Sequence, residues 1–124
     1  MKTVLLTDDN VDMIELIQLI LTDAGYKLIT AADGLEAVNI CLEQSPDLVL
    51  MDLNMPGMNG IDAIKTLREK GYDNPIVVLT GSDSQQDREM AEQAGSNEFM
   101  LKTLDMTGLE RILDHYLAEA TGFD

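Results

Sequence analysis

The sequence predicts an α/β protein, a parallel sheet with helices on both faces. Three observations carry this expectation. Two runs, Leu48-Val49-Leu50-Met51 and Ile76-Val77-Val78-Leu79, are apolar without interruption, as strands buried on both faces are. Short apolar runs alternate with stretches of helical period along the whole chain. The connections between them are too short to hold a second domain, and repeated β-α-β units give a parallel sheet. Asp52 follows the first of the two buried runs, ahead of a turn-rich loop with Pro56, Gly57 and Gly60. A strand-end Asp can simply turn or cap the chain. In open α/β sheets, however, ligands bind just outside the carboxyl ends of the strands, so the other ends decide.

The elements follow in order. Thr3 to Thr7 reads as a strand that stops at Asp8-Asp9-Asn10. From Val11 to Ala24 the period becomes helical, with Ile14, Ile17, Leu21 and Ala24 on one face and Gly25 as a C-terminal stop. On that wheel Leu19 falls among Asp12, Glu15 and Asp23 and is expected to be exposed, with Leu16 on the rim. Lys27 to Ala31 is a less apolar strand, expected near a sheet edge. Asp33 and Glu36 resemble a capping box opening a helix over 34–44. After the Asp52 loop comes a helix from Ile61 to Lys70, then the strand Ile76 to Thr80. The helix over 85–94 is polar, with only Met90, Ala91 and Ala94 to pack, and is expected to be the one that moves. Glu98 to Lys102 is the last strand. A final helix over 106–120 is expected to bury Leu109, Ile112, Leu113, Tyr116 and Leu117.

Composition narrows the function. A chain of 124 residues, 45% hydrophobic and 25% charged, is long enough for a core of its own and is expected to form one domain. With 23 acidic residues against 8 Lys plus Arg the net charge is −15. No basic face exists to bind nucleic acid or an anionic membrane, whereas cations and basic protein surfaces are attracted. The single cysteine, Cys41, excludes an internal disulfide and a zinc cluster, and its apolar neighbours mark a buried, inert thiol. No leader pattern or run of membrane-spanning length is read, so a reducing cytoplasm is the default expectation.

The predicted strand ends present Asp8 and Asp9, Asp52, Thr80 and Lys102. Singly each is ordinary, since acids after a strand often cap the next helix. Together they place three carboxylates, a hydroxyl and an ammonium in one crevice. Two carboxylates about 6 Å apart repel by roughly 3 kcal/mol at an effective dielectric near 20, more than one lysine offsets across three acids. A hard divalent cation resolves this, and a few carboxylates with open positions is how Mg²⁺ is usually held. A carboxylate nucleophile beside Mg²⁺, Lys and Thr is equipped to take a phosphoryl group onto itself. The one histidine, His115, falls on the polar face of the last helix.

On this spaced set (Asp8-Asp9, Asp52 with Met55-Pro56-Gly57 and Gly60, Thr80, Lys102) the chain resembles the receiver domain of two-component response regulators, over about residues 2–119. The resemblance implies a flavodoxin-like doubly wound sheet of five strands in the order 2-1-3-4-5. It makes Asp52 the phosphoacceptor, taking its phosphoryl group from a histidine kinase or histidine phosphotransfer protein. Asp9, Asp52 and the backbone carbonyl of Asn54 would hold Mg²⁺, for which Mn²⁺ could substitute, with Asp8 acting mainly through bound water. Lys102 would pair with Asp52 and then with a phosphoryl oxygen. Thr80 would move inward to the phosphoryl group, and Phe99 matches the aromatic switch position, although plain core packing explains it equally well. Asn54 and Ser82 match positions that tune phosphate lifetime, and Gly81 one that leaves the site open to the phosphodonor.

One departure stands out. The family typically has proline after the lysine, joined by a cis peptide, whereas Thr103 follows here. A cis bond before a non-proline residue costs about 2.5–4 kcal/mol, so either the peptide is trans and the loop near Met106 is rearranged, or it is cis and strained. The expected output is altered binding of a downstream protein by the face of the fourth helix, fifth strand and fifth helix. Such a chain modifies itself and is not a turnover enzyme. The first alternative is a degenerate receiver that only binds partners. The second is an aspartyl-phosphate phosphatase, but Asp52-Leu53-Asn54 lacks that class's second acid. No effector domain is read, so the chain is a stand-alone receiver or one separated from a longer protein. Leu16 and Leu19 together are a candidate docking spot for the phosphodonor.

Overall fold

A computed structural model describes residues 2–53, 57–81, 84–103, 106 and 108–118. Five strands alternate with five helices: β1 (Thr3–Thr7), α1 (Val11–Ala24), β2 (Lys27–Ala31), α2 (Gly34–Gln44), β3 (Leu48–Asp52), α3 (Gly60–Glu69), β4 (Ile76–Thr80), α4 (Gln85–Ala94), β5 (Glu98–Leu101) and α5 (Leu109–Leu117). The strands form one parallel sheet in the order β2-β1-β3-β4-β5. The apolar β3 and β4 are buried along their whole length, and the less apolar β2 lies at an edge.

Alternation along the strands divides the core into two layers. Val4, Leu6, Leu48, Leu50, Val77 and Leu79 face α1 and α5. Leu5, Val49, Met51, Ile76 and Val78 face α2, α3 and α4. A run that reads as uniformly apolar thus serves both faces of one sheet.

Helix starts are capped by side chains. Asn10, Asp33, Asn59 and Ser84 accept from the backbone amides of Met13, Glu36, Asp62 and Asp87. Because Asn10 caps α1, neither Asp8 nor Asp9 is consumed in doing so. Gly25 and Gly95, at φ +87° and +116°, end α1 and α4 in the left-handed region that glycine adopts without strain.

Several details differ from expectation. Ala24 is exposed, because the half-buried Tyr26, returning to donate to the Leu21 carbonyl, packs against that layer instead. Met90 is 41% exposed; α4 packs through the small Ala91 and Ala94, which turns the neighbouring large side chain outward. Helix α5 spans 109–117 and not 106–120, because Gly108 takes φ +97° ahead of it and Ala118 is extended. Tyr116 is half-buried rather than buried, and its hydroxyl donates to Glu98 at 2.9 Å.

Candidate phosphoacceptor site

The register of the parallel strands brings the site together. Thr7 of β1 is level with Met51 of β3, so Asp8 and Asp52, the next residues, stand side by side. Asp52 is level with Leu79, and Thr80 with Leu101, which places Thr80 and Lys102 along the same edge. Lys102 is fastened there by its amide, which donates to the Thr80 carbonyl at 2.7 Å. Thr7, Asp8, Asp52 and Thr80 are the buried polar side chains among the described residues, and all four lie at this edge.

Asp8, Asp9 and Asp52 each offer a carboxylate oxygen, and these three atoms lie within 4.8 Å of one another. Asp8 and Asp52 are buried and Asp9 is exposed to solvent. Asp8 is held at both oxygens: Oδ1 accepts from the Asn10 amide at 2.9 Å, and Oδ2 lies 2.7 Å from the Lys102 ammonium. The same ammonium donates to Asp52 Oδ2 at 3.0 Å. Burial by itself would lower the Lys102 pKa, but the bonds and charges of Asp8 and Asp52 outweigh it and raise the pKa above its ordinary value. Lys102 is therefore firmly an ammonium at neutral pH. Three carboxylates against one ammonium leave the crevice negative, and this all-oxygen donor set fits a hard divalent cation such as Mg²⁺.

The remaining predicted residues sort as follows. Phe99 is half-buried against the α2–α4 layer, with the Arg88 guanidinium 4.6 Å from its ring centroid. A Cβ at Gly81 would meet nothing within 4 Å, so the chain is open there. No cis peptide occurs among the described residues, so Lys102-Thr103 is trans. The Met106 amide donates to the Thr103 carbonyl at 3.2 Å, and Met106 is buried at φ +52°. Asn54 and Ser82 lie outside the described residues.

Leu16 and Leu19 separate. Leu16 joins Asn10, Asp12, Met13, Lys102 and Thr103 around a crevice beside the site, whereas Leu19 lines a different groove, toward α5. A helical wheel places both near one face but does not show what each borders. Sequence reading missed Arg68 altogether. Its guanidinium donates to the carbonyls of Tyr72, Asn74 and Gly95 and to the Asn97 side chain, tying α3 to the end of α4 and the start of β4.

A five-stranded 2-1-3-4-5 sheet with an acidic crevice and a lysine at its carboxyl edge is the architecture of a receiver domain. The model of the response regulator receiver domain matches residues 4–114, and the chain belongs to that family. Among curated relatives it is 35% identical over 101 residues to the alkaline phosphatase synthesis transcriptional regulatory protein PhoP of Bacillus subtilis (strain 168). That match covers 82% of this chain and 42% of PhoP, so the chain spans less than half of this relative's length. Among solved structures it is similar to Vibrio cholerae chemotaxis protein CheY4, at 31% identity and a TM-score of 0.86 over 94% of this chain and 99% of that one. It is also similar to the receiver domain of a sensor histidine kinase of Pseudomonas aeruginosa PAO1, which has a magnesium ion coordinated in its active-site cleft. The identity there is 34% and the TM-score 0.84, over 95% of this chain and 98% of that one.

Proposed function

We propose that this receiver domain takes a phosphoryl group onto Asp52 from the phosphohistidine of a histidine kinase or phosphotransfer protein, and that the modification changes what its surface binds. The observation that carries this reading is the three-carboxylate cluster with Lys102 bridging Asp8 and Asp52. An Asp52 oxygen attacks phosphorus, the new O–P bond forms, and the P–N bond to the donor imidazole breaks with its electron pair left on nitrogen. Mg²⁺, held by Asp9, Asp52 and the Asn54 carbonyl, with Asp8 acting mainly through bound water, would supply positive charge to the phosphoryl oxygens. Lys102, already an ammonium against Asp52, would follow the charge onto a phosphoryl oxygen. Thr80 at the end of β4 and Phe99 on β5 would relay the change to the face of α4, β5 and α5. The chain acts on itself rather than turning over a substrate, and a cytoplasmic kinase partner is the consistent setting.

Intact mass after incubation with acetyl phosphate tests this. The expected result is a gain of one phosphate in wild type with Mg²⁺, and none after chelation or in Asp52→Ala. A gain that survives Asp52→Ala overturns the assignment of the acceptor. No gain under any condition, with Mg²⁺ still bound, supports instead a module that binds partners without phosphorylation.

A further inference from the structure

We propose that the groove between α1 and α5 docks a basic amphipathic helix of a partner protein, at a surface separate from the phosphoacceptor crevice. The groove has a volume of about 530 Å³ and is open to solvent. Its apolar part is Ile20 and the buried Leu113, with Leu19 standing 69% exposed beside them. A leucine so exposed on an otherwise polar helix face is an apolar anchor that the core of the described residues does not cover. Asp23, Glu110 and Asp114 border the same groove, all exposed. None of its lining residues is shared with the crevice that holds Leu16 and Lys102.

Charge selects the occupant. Among the described residues the groove lining contains three acids and no lysine or arginine, and α1 carries no basic residue along its length. The one arginine of α5, Arg111, is paired with Glu98 of β5 and takes no part in the groove. A second copy of this chain docked across a twofold axis would set acid against acid. A neutral apolar segment would strip water from carboxylates without pairing them. A helix with apolar residues at i, i+3 and i+4 and Lys or Arg on its flanks fills the groove and pairs its rim. The proposal does not depend on phosphorylation of Asp52.

The test is an amide-resolved NMR titration of the whole chain with a synthetic Leu/Lys peptide patterned as an amphipathic helix. A scrambled peptide of the same composition is the comparison. Expected are shifts along the second half of α1 and on α5, weaker with rising salt and much weaker for the scrambled peptide. Leu19→Ser, and separately Asp23→Asn with Glu110→Gln and Asp114→Asn, should each weaken binding about tenfold while leaving the spectrum of the free protein folded. Absence of shifts overturns the proposal, as do equal binding of the scrambled peptide, shifts centred on Met13 and Leu16, or indifference to both variants. Shifts of α1 and α5 that grow with protein concentration alone would assign the groove to a second copy and overturn it as well.

Discussion

Gly60, the first residue of α3, lies against the backbone of Asp52: a Cβ built on it would stand 2.5 Å from the Asp52 carbonyl oxygen and 2.9 Å from the Leu53 Cα. Its own amide reaches the Leu53 carbonyl at 3.3 Å. β3 and the start of α3 can approach this closely only because this side chain is missing.

Gly60→Ala should therefore push α3 off the end of β3. The clash is with backbone, which cannot swing aside, so the cost is expected at about 1–3 kcal/mol. Thermal unfolding should show it as a lowered Tm. Acetyl phosphate labelling of the fraction still folded should fall too, because the displaced backbone carries Asp52.

Lys102→Met removes the ammonium between Asp8 and Asp52. The carboxylates then repel without compensation, so Tm in chelator should drop. A cation no longer competes with the lysine for Asp8 Oδ2 and Asp52 Oδ2, so Mg²⁺ should bind severalfold tighter than to wild type. Calorimetric Mg²⁺ titration of both proteins checks this; weaker Mg²⁺ binding in the variant would contradict it.

Arg68→Met leaves the carbonyls of Tyr72, Asn74 and Gly95 and the Asn97 side chain without their shared donor. A loss of about 2–4 kcal/mol is expected in denaturant unfolding. Arg68→Lys should recover little, since an ammonium cannot reproduce the planar fork that meets several acceptors at once.

Burial pushes the Cys41 thiol from its ordinary 9.0 up to about 12, against a small opposing pull from Arg68. A pKa raised in the folded state contributes nothing adverse below the unfolded value. Above it, the unfolded chain ionises first and stability falls as pH climbs toward the folded pKa, by at most about 1.4 kcal/mol per pH unit. Wild type should therefore lose Tm more steeply than Cys41→Ala between about pH 8.5 and 11. Native Cys41 should also resist iodoacetamide at pH 8 and react once the chain is unfolded.

Legibility in the sequence followed the range of the forces involved. Helix caps and stops at Asp33 and Gly25 are set by neighbours within one turn, and the helix boundaries near them were read closely. The boundaries of α5 were not, because Met106 and Gly108 turn the chain in left-handed conformations that helical period does not register. Ala24 and Met90 look core-facing on a wheel, but Tyr26 and the small residues of α4 take those places.

By itself the sequence determined the order of elements, the burial of β3 and β4, and the chemistry of each strand end, because apolar period and residue type act locally. Only the tertiary structure decided which of those ends touch. The Lys102–Asp52 bond spans fifty positions of chain and depends on strand register. Register likewise sets Asp8 beside Asp52, and only then does Lys102 pair with both. The parting of Leu16 from Leu19 was settled the same way, by the residues of α5 that border Leu19 and the Lys102-Thr103 segment that borders Leu16. Such contacts follow from the closing of the whole core, to which residues distant in sequence contribute together.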